Sequence, residues 1–371
     1  MYDVGSLIEE PELLQPLRHA VDGAVPSYLR SVKVKLTARC NLRCQMCRYG
    51  RGEKPPELPT ERWLTIIDQL AEMGCRKIHW SGGEVMLRRD LEQLIARARE
   101  QRMKVTLTSN LTLLTKGRAK ALMKLRPSGL STSLDGARAK THDKIRGIEG
   151  SFKRTLTGLQ RLARYRRDHR PRVRVNFVMM RENFHEYPDL IDIAAEHGVT
   201  DVIPMPVDSK RTDLRLSKQL IRRYEAEIAP VVEERRRAAG LPLDPWRIHP
   251  FGTQKDEIKA AAKGLYAGGY YETRACYAPY LHMFVAWNGE VFLCCMTNGR
   301  LAPLGDLSTQ SVKEVFTGPQ FAAIRAQMAR ERLPSCHKCD MYTDDNRRLS
   351  QVLPQPSLVE PYRPRRLPLI A

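Results

Sequence analysis

Two hydrophobic periodicities alternate along the chain between residues 31 and 215. Short runs in which apolar residues alternate or cluster predict strands, and longer runs with apolar residues three or four positions apart predict amphipathic helices. Strands are predicted at 32–36, 77–80, 105–108, 130–133, 173–179 and 201–205, and helices at 60–73, 90–101, 116–125, 152–168 and 187–197. This alternation predicts βαβ units around a parallel sheet, with two fewer repeats than a closed eightfold barrel.

The pattern changes on both sides of this region. Residues 1–30 predict a short helical leader, and residues 216–270 predict a helical bridge that begins with one long amphipathic helix at 216–239. In residues 271–345, apolar runs on either side of Asn288-Gly289 predict a hairpin, followed by a helix at about 312–330. Residues 346–371 form a tail rich in proline and arginine, which predicts irregular structure.

Three cysteines, Cys40, Cys44 and Cys47, follow the first predicted strand. Three thiolates this close together can hold three irons of a cubane [4Fe–4S] cluster, and the fourth iron is then free to bind a substrate. Structural zinc is the alternative, but a zinc site normally needs four ligands and no His or fourth Cys lies nearby. The next cysteine, Cys75, is predicted to be a core residue. The spacing favours a cluster and leaves zinc open.

Composition narrows the class of protein. A chain of 371 residues with 42% hydrophobic residues is long enough for two domains and is not a disordered chain. No run of 18 apolar residues is present and no signal peptide is evident, so we expect a cytoplasmic protein without a membrane span. In a reducing compartment its nine cysteines are expected to be ligands rather than disulfides.

The net charge of +20 favours an anionic partner, such as a phosphorylated small molecule. The arginines are nevertheless dispersed through the predicted helices, and no nucleic-acid motif accompanies them. We therefore expect a solvated basic surface and no nucleic-acid partner.

The cysteine loop and three later segments, in order over residues 31–208, resemble the radical SAM superfamily. The segments are Ser81-Gly82-Gly83-Glu84, Ser133-Leu134-Asp135-Gly136 and Asp143-Lys144-Ile145-Arg146-Gly147. The resemblance implies an α/β fold with an open (β/α)6 partial TIM barrel. It also implies that Cys40, Cys44 and Cys47 hold a [4Fe–4S] cluster whose open iron chelates S-adenosylmethionine.

The resemblance implies a cofactor site at the carboxyl ends of the strands, where each of these segments is predicted to lie. Gly82 and Gly83 let the backbone approach a ligand closely, and the Glu84 carboxylate is expected to meet the methionyl amino group. Short polar side chains are expected to contact the ribose, and Arg146 to pair with the cofactor carboxylate. The other expected cofactor-binding residues are Met46, Asn110, Ser133 and Asp135. Turn formation by Ser133 and Asp135, and a surface ion pair for Arg146, are the alternatives.

A second set of cysteines resembles the SPASM/twitch extension of radical SAM enzymes. The resemblance implies one auxiliary [4Fe–4S] cluster in an α+β domain, held by Cys276, Cys294, Cys336 and Cys339. We predict a single cluster because no cysteine follows Cys339; structural zinc is again the alternative. Cys295 could replace Cys294 as the ligand or act as a hydrogen donor. Because neighbouring strand residues point to opposite faces, we expect it to be a bystander.

The resemblance implies reductive cleavage of S-adenosylmethionine to a 5′-deoxyadenosyl radical, which abstracts hydrogen from an unactivated C–H bond. The expected electron donor is a flavodoxin or ferredoxin. The sequence favours an oxidoreductase or epimerase acting on a carbohydrate-like or aminocyclitol small molecule, because one auxiliary cluster is predicted and no N-terminal peptide-binding module is evident. The alternative is a maturase of a ribosomally synthesised peptide. A third hypothesis is a non-catalytic iron–sulfur or zinc protein bound to nucleic acid.

Overall fold

The computed structural model describes residues 2, 4–49, 52, 55–167, 170–339 and 343–353. Its strands include all six that the periodicity predicts, each within one residue of the predicted ends. They are β1 Ser31–Lys35, β2 Lys77–Ser81, β3 Lys104–Thr108, β4 Gly129–Ser133, β5 Arg172–Met179 and β6 Asp201–Pro206. Neighbours in sequence are neighbours in the sheet, and every pair is parallel. The carboxyl ends of these strands therefore lie along one edge.

Helices connect the strands and surround them. They are α1 Val4–Glu9, α2 Pro11–Val21, α3 Thr60–Glu72, α4 Leu91–Glu100, α5 Lys116–Lys124, α6 Ala139–Arg146, α7 Ser151–Tyr165, α8 Tyr187–Glu196, α9 Lys218–Arg223 and α10 Ala229–Ala238. The later helices are α11 Pro245–Ile248, α12 Lys255–Ala262, α13 Tyr270–Thr273, α14 Ala278–Leu281, α15 Val312–Thr317, α16 Pro319–Arg330 and α17 Thr343–Leu349. Helix α6 was not predicted, because it is short and mostly polar.

The two faces of the sheet differ in polarity. Apolar residues on alternate positions, such as Val32, Ile78 and Val105, are buried in the core with the surrounding helices. The rings of Trp63 on α3 and Trp80 on β2 pack edge to face, with centroids 6.0 Å apart. The opposite positions are polar and half-buried, and we call the space they face the lumen. They include Lys33, Lys35, His79, Thr106, Thr108, Ser131 and Ser133.

A hairpin from the C-terminal region extends the barrel sheet. Strand β7 His282–Val285 pairs parallel with β1, and β8 Glu290–Phe292 and β9 Gly305–Asp306 follow antiparallel. The turn predicted at Asn288-Gly289 joins β7 to β8. The result is one nine-stranded sheet that begins at β6 and ends at β9. The C-terminal region is thus joined to the barrel through backbone hydrogen bonds at β1, the strand that leads into the cysteine loop.

Both long predicted helices differ in detail from the prediction. The helix expected at 216–239 is α9 and α10 with a π-helical turn at Tyr224–Ile228 between them. The helix expected at 312–330 is divided at Gly318, because the following Pro319 cannot donate a hydrogen bond inside a helix. Residues of the predicted bridge pack against the barrel: Arg236 of α10 is fully buried and its guanidinium lies 2.9 Å from the Asp201 carboxylate of β6.

The N-terminal helices pack against the C-terminal region. Tyr2, Leu7 and Leu17 share one hydrophobic cluster with Tyr271 and Leu349, more than 250 positions away along the chain. The predicted leader is therefore part of the C-terminal core. Most of the predicted tail, residues 354–371, lies outside the described residues. None of the helices described here has both the length and the apolar character needed to span a membrane.

Candidate active site

The three-cysteine loop leaves β1 at the carboxyl edge of the sheet. Cys44 is buried, whereas Cys40 and Cys47 are half-buried. The backbone N–H of Leu42 donates to the Cys40 sulfur and that of Tyr49 to the Cys47 sulfur, each at 3.4 Å. Amide donors directed at sulfur stabilise thiolates and are typical of iron–sulfur ligands. In the part of the chain described, no three His, Cys, Asp or Glu side chains are close enough to ligate a single metal ion.

Gly82 and Gly83 lie directly against the cysteine loop. The Gly83 N–H donates to the Thr37 carbonyl at 2.8 Å, and the Glu84 N–H donates to the Arg39 carbonyl at 2.8 Å. A Cβ atom on Gly83 would collide with the Arg39 carbonyl, and one on Gly82 would lie 2.6 Å from the Thr37 carbonyl oxygen. The sequence predicted that Gly82 and Gly83 approach a ligand closely. In the structure, these two glycines closely approach the backbone of the loop that carries the cysteines.

The Glu84 carboxylate is fully buried and joins the loops after β2 and β3. Its Oε1 accepts hydrogen bonds from the Ser109 hydroxyl at 2.7 Å and the Met86 N–H at 2.9 Å, and its Oε2 accepts one from the Asn110 N–H at 2.7 Å. Burial raises the pKa of Glu84, and these donors oppose that shift. A carboxylate offers about four acceptor positions, so one on Oε2 is left for an ammonium group. The predicted contact of Glu84 with an amino group remains compatible with this arrangement.

Asn110 links the loop after β3 to the cysteine loop. Its Nδ2 donates to the Asn41 side-chain oxygen at 2.9 Å, and its own oxygen accepts from the Thr112 hydroxyl at 2.7 Å. Asn41 in turn donates to Thr112 at 2.7 Å. Asn110 therefore positions Asn41, which directly follows Cys40, and the sequence did not indicate this role.

Asp135 and Arg146 form a buried ion pair beside Cys44. The Arg146 Nη2 lies 2.6 Å from the Asp135 Oδ2, and Nη1 lies 3.6 Å from the Cys44 sulfur. Burial would lower the pKa of Arg146, but Asp135 and the Cys44 thiol outweigh it and raise the pKa. Arg146 is thus not the surface ion pair considered as an alternative. Its guanidinium holds the middle cysteine of the loop.

The segment around Arg146 also holds the cysteine loop through its backbone. The carbonyl of Ile145 accepts from the Gln45 N–H at 2.9 Å, and that of Arg146 accepts from the Arg43 N–H at 3.0 Å. Gly147 has a φ of 71°, and a Cβ there would lie 2.6 Å from the Arg43 carbonyl oxygen. Both neighbours of Cys44 are therefore tied to helix α6 and the glycine that ends it.

Ser133 and Met46 have fewer polar constraints. Ser133 faces the lumen at the end of β4, and its hydroxyl makes no hydrogen bond to any of the described residues. Met46 packs against a small apolar cluster that includes Ile145, Met180 and Val207. The Ser133 hydroxyl thus remains available to a ligand in the lumen.

Cys276, Cys294 and Cys336 pack against one hydrophobic cluster together with the N-terminal helices. Burial raises the pKa of Cys294, and the nearby thiols of Cys295, Cys276 and Cys336 raise it further. Cys336 and Cys339 lie on one short turn, where the Cys339 N–H donates to the Cys336 carbonyl at 3.0 Å. The Cys47 N–H donates to the Cys44 carbonyl in the same way, at 3.1 Å.

An aromatic and amide shell surrounds this second site. The Tyr271 hydroxyl lies 4.0 Å from the Cys339 sulfur, and the Asn346 Nδ2 lies 3.8 Å from the Cys276 sulfur. Asn346 also donates to the Tyr271 hydroxyl at 2.9 Å. Burial raises the pKa of Tyr2, and the neighbouring Cys276 adds to the shift. The sequence did not identify this shell, because its members are distant in the chain and belong to no motif.

Cys295 lies on the lumen side of the hairpin. It is in the bend after β8 rather than in the strand, and it packs with Phe284, Ala286 and Phe292. Its thiol acts electrostatically on the Lys35 ammonium of β1, as does that of Cys47. Cys295 is also close to the Cys294 thiol and packs both against the hydrophobic cluster of the auxiliary cysteines and against the apolar side chains of the hairpin.

The segment after Cys47 is tied to the C-terminal region. The Arg48 guanidinium donates to the Asn298 carbonyl at 2.9 Å, and the Asn298 amide donates to the Tyr49 hydroxyl at 3.2 Å. The ring of Tyr49 packs edge to face on Trp287, with centroids 5.9 Å apart. These contacts join the two cysteine regions across the lumen.

Sequence models of two families match the chain. The radical SAM superfamily model matches residues 34–194, and the SPASM model, described as an iron–sulfur cluster-binding domain, matches residues 276–340. The first match contains the three-cysteine loop, and the second contains all four predicted auxiliary ligands. A radical SAM domain implies S-adenosylmethionine and a [4Fe–4S] cluster, and a SPASM domain implies auxiliary iron–sulfur binding.

Several curated proteins are similar to part of the chain. Fe-coproporphyrin III synthase of Methanosarcina barkeri is 36% identical over 167 residues, which are 44% of this chain and 40% of that protein. AdoMet-dependent heme synthase of the same organism is 36% identical over 174 residues, 46% of this chain and 48% of the relative. PqqA peptide cyclase of Rhodopseudomonas palustris is 33% identical over 168 residues, 44% of this chain and 43% of the relative. Each alignment spans less than half of the relative.

Solved structures share the fold over a larger part of the chain. SuiB of Streptococcus suis bound to S-adenosylmethionine has a TM-score of 0.65 at 17% identity and covers 90% of this chain and 76% of its own. Native anSMEcpe with bound AdoMet has a TM-score of 0.60 at 15% identity, with 84% and 87% covered. These identities establish the fold alone. They confirm the predicted α/β architecture, an open partial barrel with a C-terminal SPASM extension.

Proposed function

This chain belongs to the radical SAM superfamily and carries a SPASM domain, and we propose that it is an enzyme that removes a hydrogen atom from a C–H bond of a peptide. One observation carries the proposal: the cysteine loop follows β1 at the carboxyl edge of the barrel sheet, and the C-terminal region that bears the auxiliary cysteines pairs with β1 and contacts the segment after Cys47. A substrate in the lumen would lie next to the cofactor site and next to the auxiliary domain.

The chain's own residues suit the proposed cofactors. Cys40, Cys44 and Cys47 would hold a [4Fe–4S] cluster, with the remaining acceptor position of Glu84 available to the methionyl ammonium and the Ser133 hydroxyl available to the ribose. When bound, the reduced cluster and S-adenosylmethionine supply a 5′-deoxyadenosyl radical for hydrogen abstraction. Cys276, Cys294, Cys336 and Cys339 would hold one auxiliary cluster.

A peptide substrate is supported by the relatives. PqqA peptide cyclase is among the similar sequences, and SuiB, whose fold is shared over 90% of this chain, has also been solved with the precursor peptide SuiA. These comparisons favour a peptide over the carbohydrate-like or aminocyclitol substrate that the sequence favoured. The alternative hypothesis from the sequence, maturation of a ribosomally synthesised peptide, therefore becomes our main proposal.

A tetrapyrrole is the second candidate. It is supported by the 36% identity to both Fe-coproporphyrin III synthase and AdoMet-dependent heme synthase. Because these alignments span less than half of either relative, they do not extend to a complete substrate site.

The test is a turnover assay on anaerobically reconstituted protein with S-adenosylmethionine and dithionite. Peptides encoded by short reading frames adjacent to the gene are added one at a time, with an iron porphyrin in a parallel arm. We expect one peptide to increase 5′-deoxyadenosine formation and to change in mass. A loss of two hydrogens would indicate oxidation, with the second electron passed to the auxiliary site; an unchanged mass with altered stereochemistry would indicate a redox-neutral reaction.

The Cys40→Ala/Cys44→Ala/Cys47→Ala variant is the control, and both signals should fall to background in it. Modification of the porphyrin with no effect on any peptide would overturn the peptide assignment in favour of the second candidate. Absence of 5′-deoxyadenosine in every arm would contradict the enzymatic proposal itself.

A further inference from the structure

The lumen has a strongly basic inner face. Strand alternation places Lys33 and Lys35 of β1 and His79 of β2 on this face, and Lys33 lies opposite His79 in the parallel register. Along the inner positions of β1 to β4 and of β7 the sequence contains no Asp or Glu. The inner carboxylate of β6, Asp201, is already paired with Arg236 and Arg247. Positive charge in the lumen is therefore not balanced by the barrel strands.

The two lysines of β1 lack a carboxylate partner. Neither Lys33 nor Lys35 forms an ion pair with any residue that the structure describes, and Lys35 instead lies over the ring of Tyr49, 4.9 Å from its centroid. Burial and, to a smaller extent, the nearby Lys33 together lower the pKa of Lys35 to about 8. A half-buried ammonium without an opposite charge is unfavourable in the free protein, and a bound anion would relieve this cost.

The polar groups of β2 and β3 next to the lysines supply no negative charge. The Nδ1 of His79 lies 2.9 Å from the Thr106 hydroxyl and its Nε2 lies 3.1 Å from the Thr108 hydroxyl. Burial and the charges of Lys33 and Lys35 hold the pKa of His79 well below its usual value. A neutral imidazole and two hydroxyls provide polar groups but no negative charge, so the lysines stay uncompensated.

The position of this basic patch bears on the substrate. Lys35 lies over the ring of Tyr49, whose N–H donates to the Cys47 sulfur and whose hydroxyl accepts from Asn298 of the C-terminal region, so an anion bound there would lie between the two regions. We propose that Lys33 and Lys35 bind a carboxylate of the peptide substrate in the lumen and so position the neighbouring C–H bond for reaction. This inference rests on the proposed function and specifies which kind of peptide is accepted, one with an acidic group next to the modified residue.

The test is ligand-observed NMR on the oxidised holoenzyme with S-adenosylmethionine, using three probes of nearly equal size. N-acetylglutamic acid α-amide carries a side-chain carboxylate, N-acetylglutamine carries a main-chain carboxylate, and N-acetylglutamine amide is neutral. We expect at least one carboxylate probe to bind about tenfold or more tightly than the neutral one, since a hydrogen bond to a charged group contributes about this factor. Tighter binding of N-acetylglutamic acid α-amide would indicate that the site binds an acidic side chain of the substrate. Tighter binding of N-acetylglutamine would indicate that it binds the C-terminal carboxylate of the substrate.

Three double variants complete the design. Lys33→Gln/Lys35→Gln should weaken binding of the carboxylate probe about tenfold or more, and Lys33→Arg/Lys35→Arg should retain this binding. The matched control, Lys116→Gln/Lys120→Gln on the exposed side of α5, changes the net charge equally and should bind as the wild type does. Iron content and thermal unfolding establish that each variant is folded.

Three results would overturn the inference. The first is equal binding of all three probes, and the second is an equal loss of carboxylate binding in the α5 control variant. The third is loss of iron in the Lys33/Lys35 variants, because the lysines would then balance the charge of the cysteine site instead of binding substrate. The proposed function has a separate readout, because 5′-deoxyadenosine formation by the wild type does not depend on these probes. Failure of one can therefore be told from failure of the other.

Discussion

The two cysteine sites are held in different ways. The barrel loop is held by polar contacts from three neighbouring loops: Glu84 after β2, Asn110 after β3, and the Asp135–Arg146 pair after β4. The auxiliary cysteines lie in a largely apolar cluster with a few tyrosine and amide groups, covered by helices from the other end of the chain. The barrel site is thus built from local connections, whereas the auxiliary site depends on segments that are distant in sequence.

This difference predicts how each site responds to damage. A polar network of short loops keeps its geometry when the cysteines are removed, because among the described residues its hydrogen bonds include the thiols only at Arg146 and at the backbone N–H groups of Leu42 and Tyr49. The auxiliary site joins members of segments 4–21, 267–296, 336–339 and 349–353 in one hydrophobic cluster. Its ligands are therefore part of what holds these segments together.

The largest expected effect comes from removing each ligand set in full. Replacing Cys40, Cys44 and Cys47 by Ala should abolish 5′-deoxyadenosine formation and lower the iron content from about eight to about four per chain, with little loss of thermal stability. Replacing the four auxiliary cysteines by Ala should lower the iron equally and reduce the melting temperature clearly more. Iron analysis and anaerobic melting measure both. Equal melting temperatures for the two variants would contradict the conclusion that only the auxiliary cysteines hold distant segments together.

The backbone contact at Gly83 provides the next test. Gly83→Ala should displace the cysteine loop, because its Cβ would collide with the Arg39 carbonyl. We expect loss of about four irons of about eight and of S-adenosylmethionine cleavage. Gly117→Ala is the matched control; its Cβ would meet no atom nearer than 4.0 Å, and a helical Gly→Ala change stabilises by up to about 1 kcal/mol. Full iron content in Gly83→Ala would contradict the packing described here.

Substitution of Arg146 tests whether the polar network contributes to the free energy of unfolding. Arg146→Met leaves the fully buried Asp135 carboxylate without its charged partner, so unfolding should require about 3–5 kcal/mol less free energy. The double variant Asp135→Asn/Arg146→Met should recover part of this loss. Denaturant unfolding under anaerobic conditions measures both, with the exposed ion-pair residue Arg223→Met as the control. If the double variant were no more stable than Arg146→Met, the pair would not be the source of the effect.

Asn346 gives the corresponding test at the auxiliary site. It donates to the Tyr271 hydroxyl, lies near the Cys276 sulfur, and accepts from the Tyr277 N–H at 2.9 Å. Asn346→Ala should destabilise the protein by about 1–3 kcal/mol, because buried partners lose their hydrogen bonds. It should also release auxiliary iron to a chelator faster than the barrel iron. Asn288→Ala, in the hairpin turn, is the control, and equal chelation rates at both sites would argue against a structural role for the shell.

A pH effect is expected at the strand that joins the two regions. His282 of β7 is fully buried, and burial together with Lys33 lowers its pKa to about 3. The unfolded chain therefore binds the proton first, so this contribution to stability is complete above about pH 6.5 and is lost as the pH falls toward 3, at about 1.4 kcal/mol per unit. Unfolding at pH 7 and pH 5.5 measures the slope. His282→Gln should reduce the slope by the share of one group, because the buried His79 and His142, whose pKa values are also lowered by burial, still contribute. The exposed His185→Gln should leave the slope unchanged.

Much of the architecture was determined by the sequence. The six barrel strands appear within one residue of their predicted ends, because alternation of apolar and polar residues directly reports which side of a strand is buried. The cysteine loop and its neighbouring motifs were also recognisable, since parallel strands place their carboxyl ends at one edge. The hairpin at Asn288-Gly289 followed from turn chemistry, which is local.

Other features depended on tertiary structure. Pairing of β7 with β1 joins residues about 250 positions apart, and no local pattern encodes which edge a hairpin will extend. The contacts of Arg146 with Asp135 and Cys44 emerged for the same reason, because no local pattern encodes which distant side chains pack beside it. The uncompensated charge of Lys33 and Lys35 likewise emerged only from the folded chain, because pairing depends on which distant side chains share the lumen.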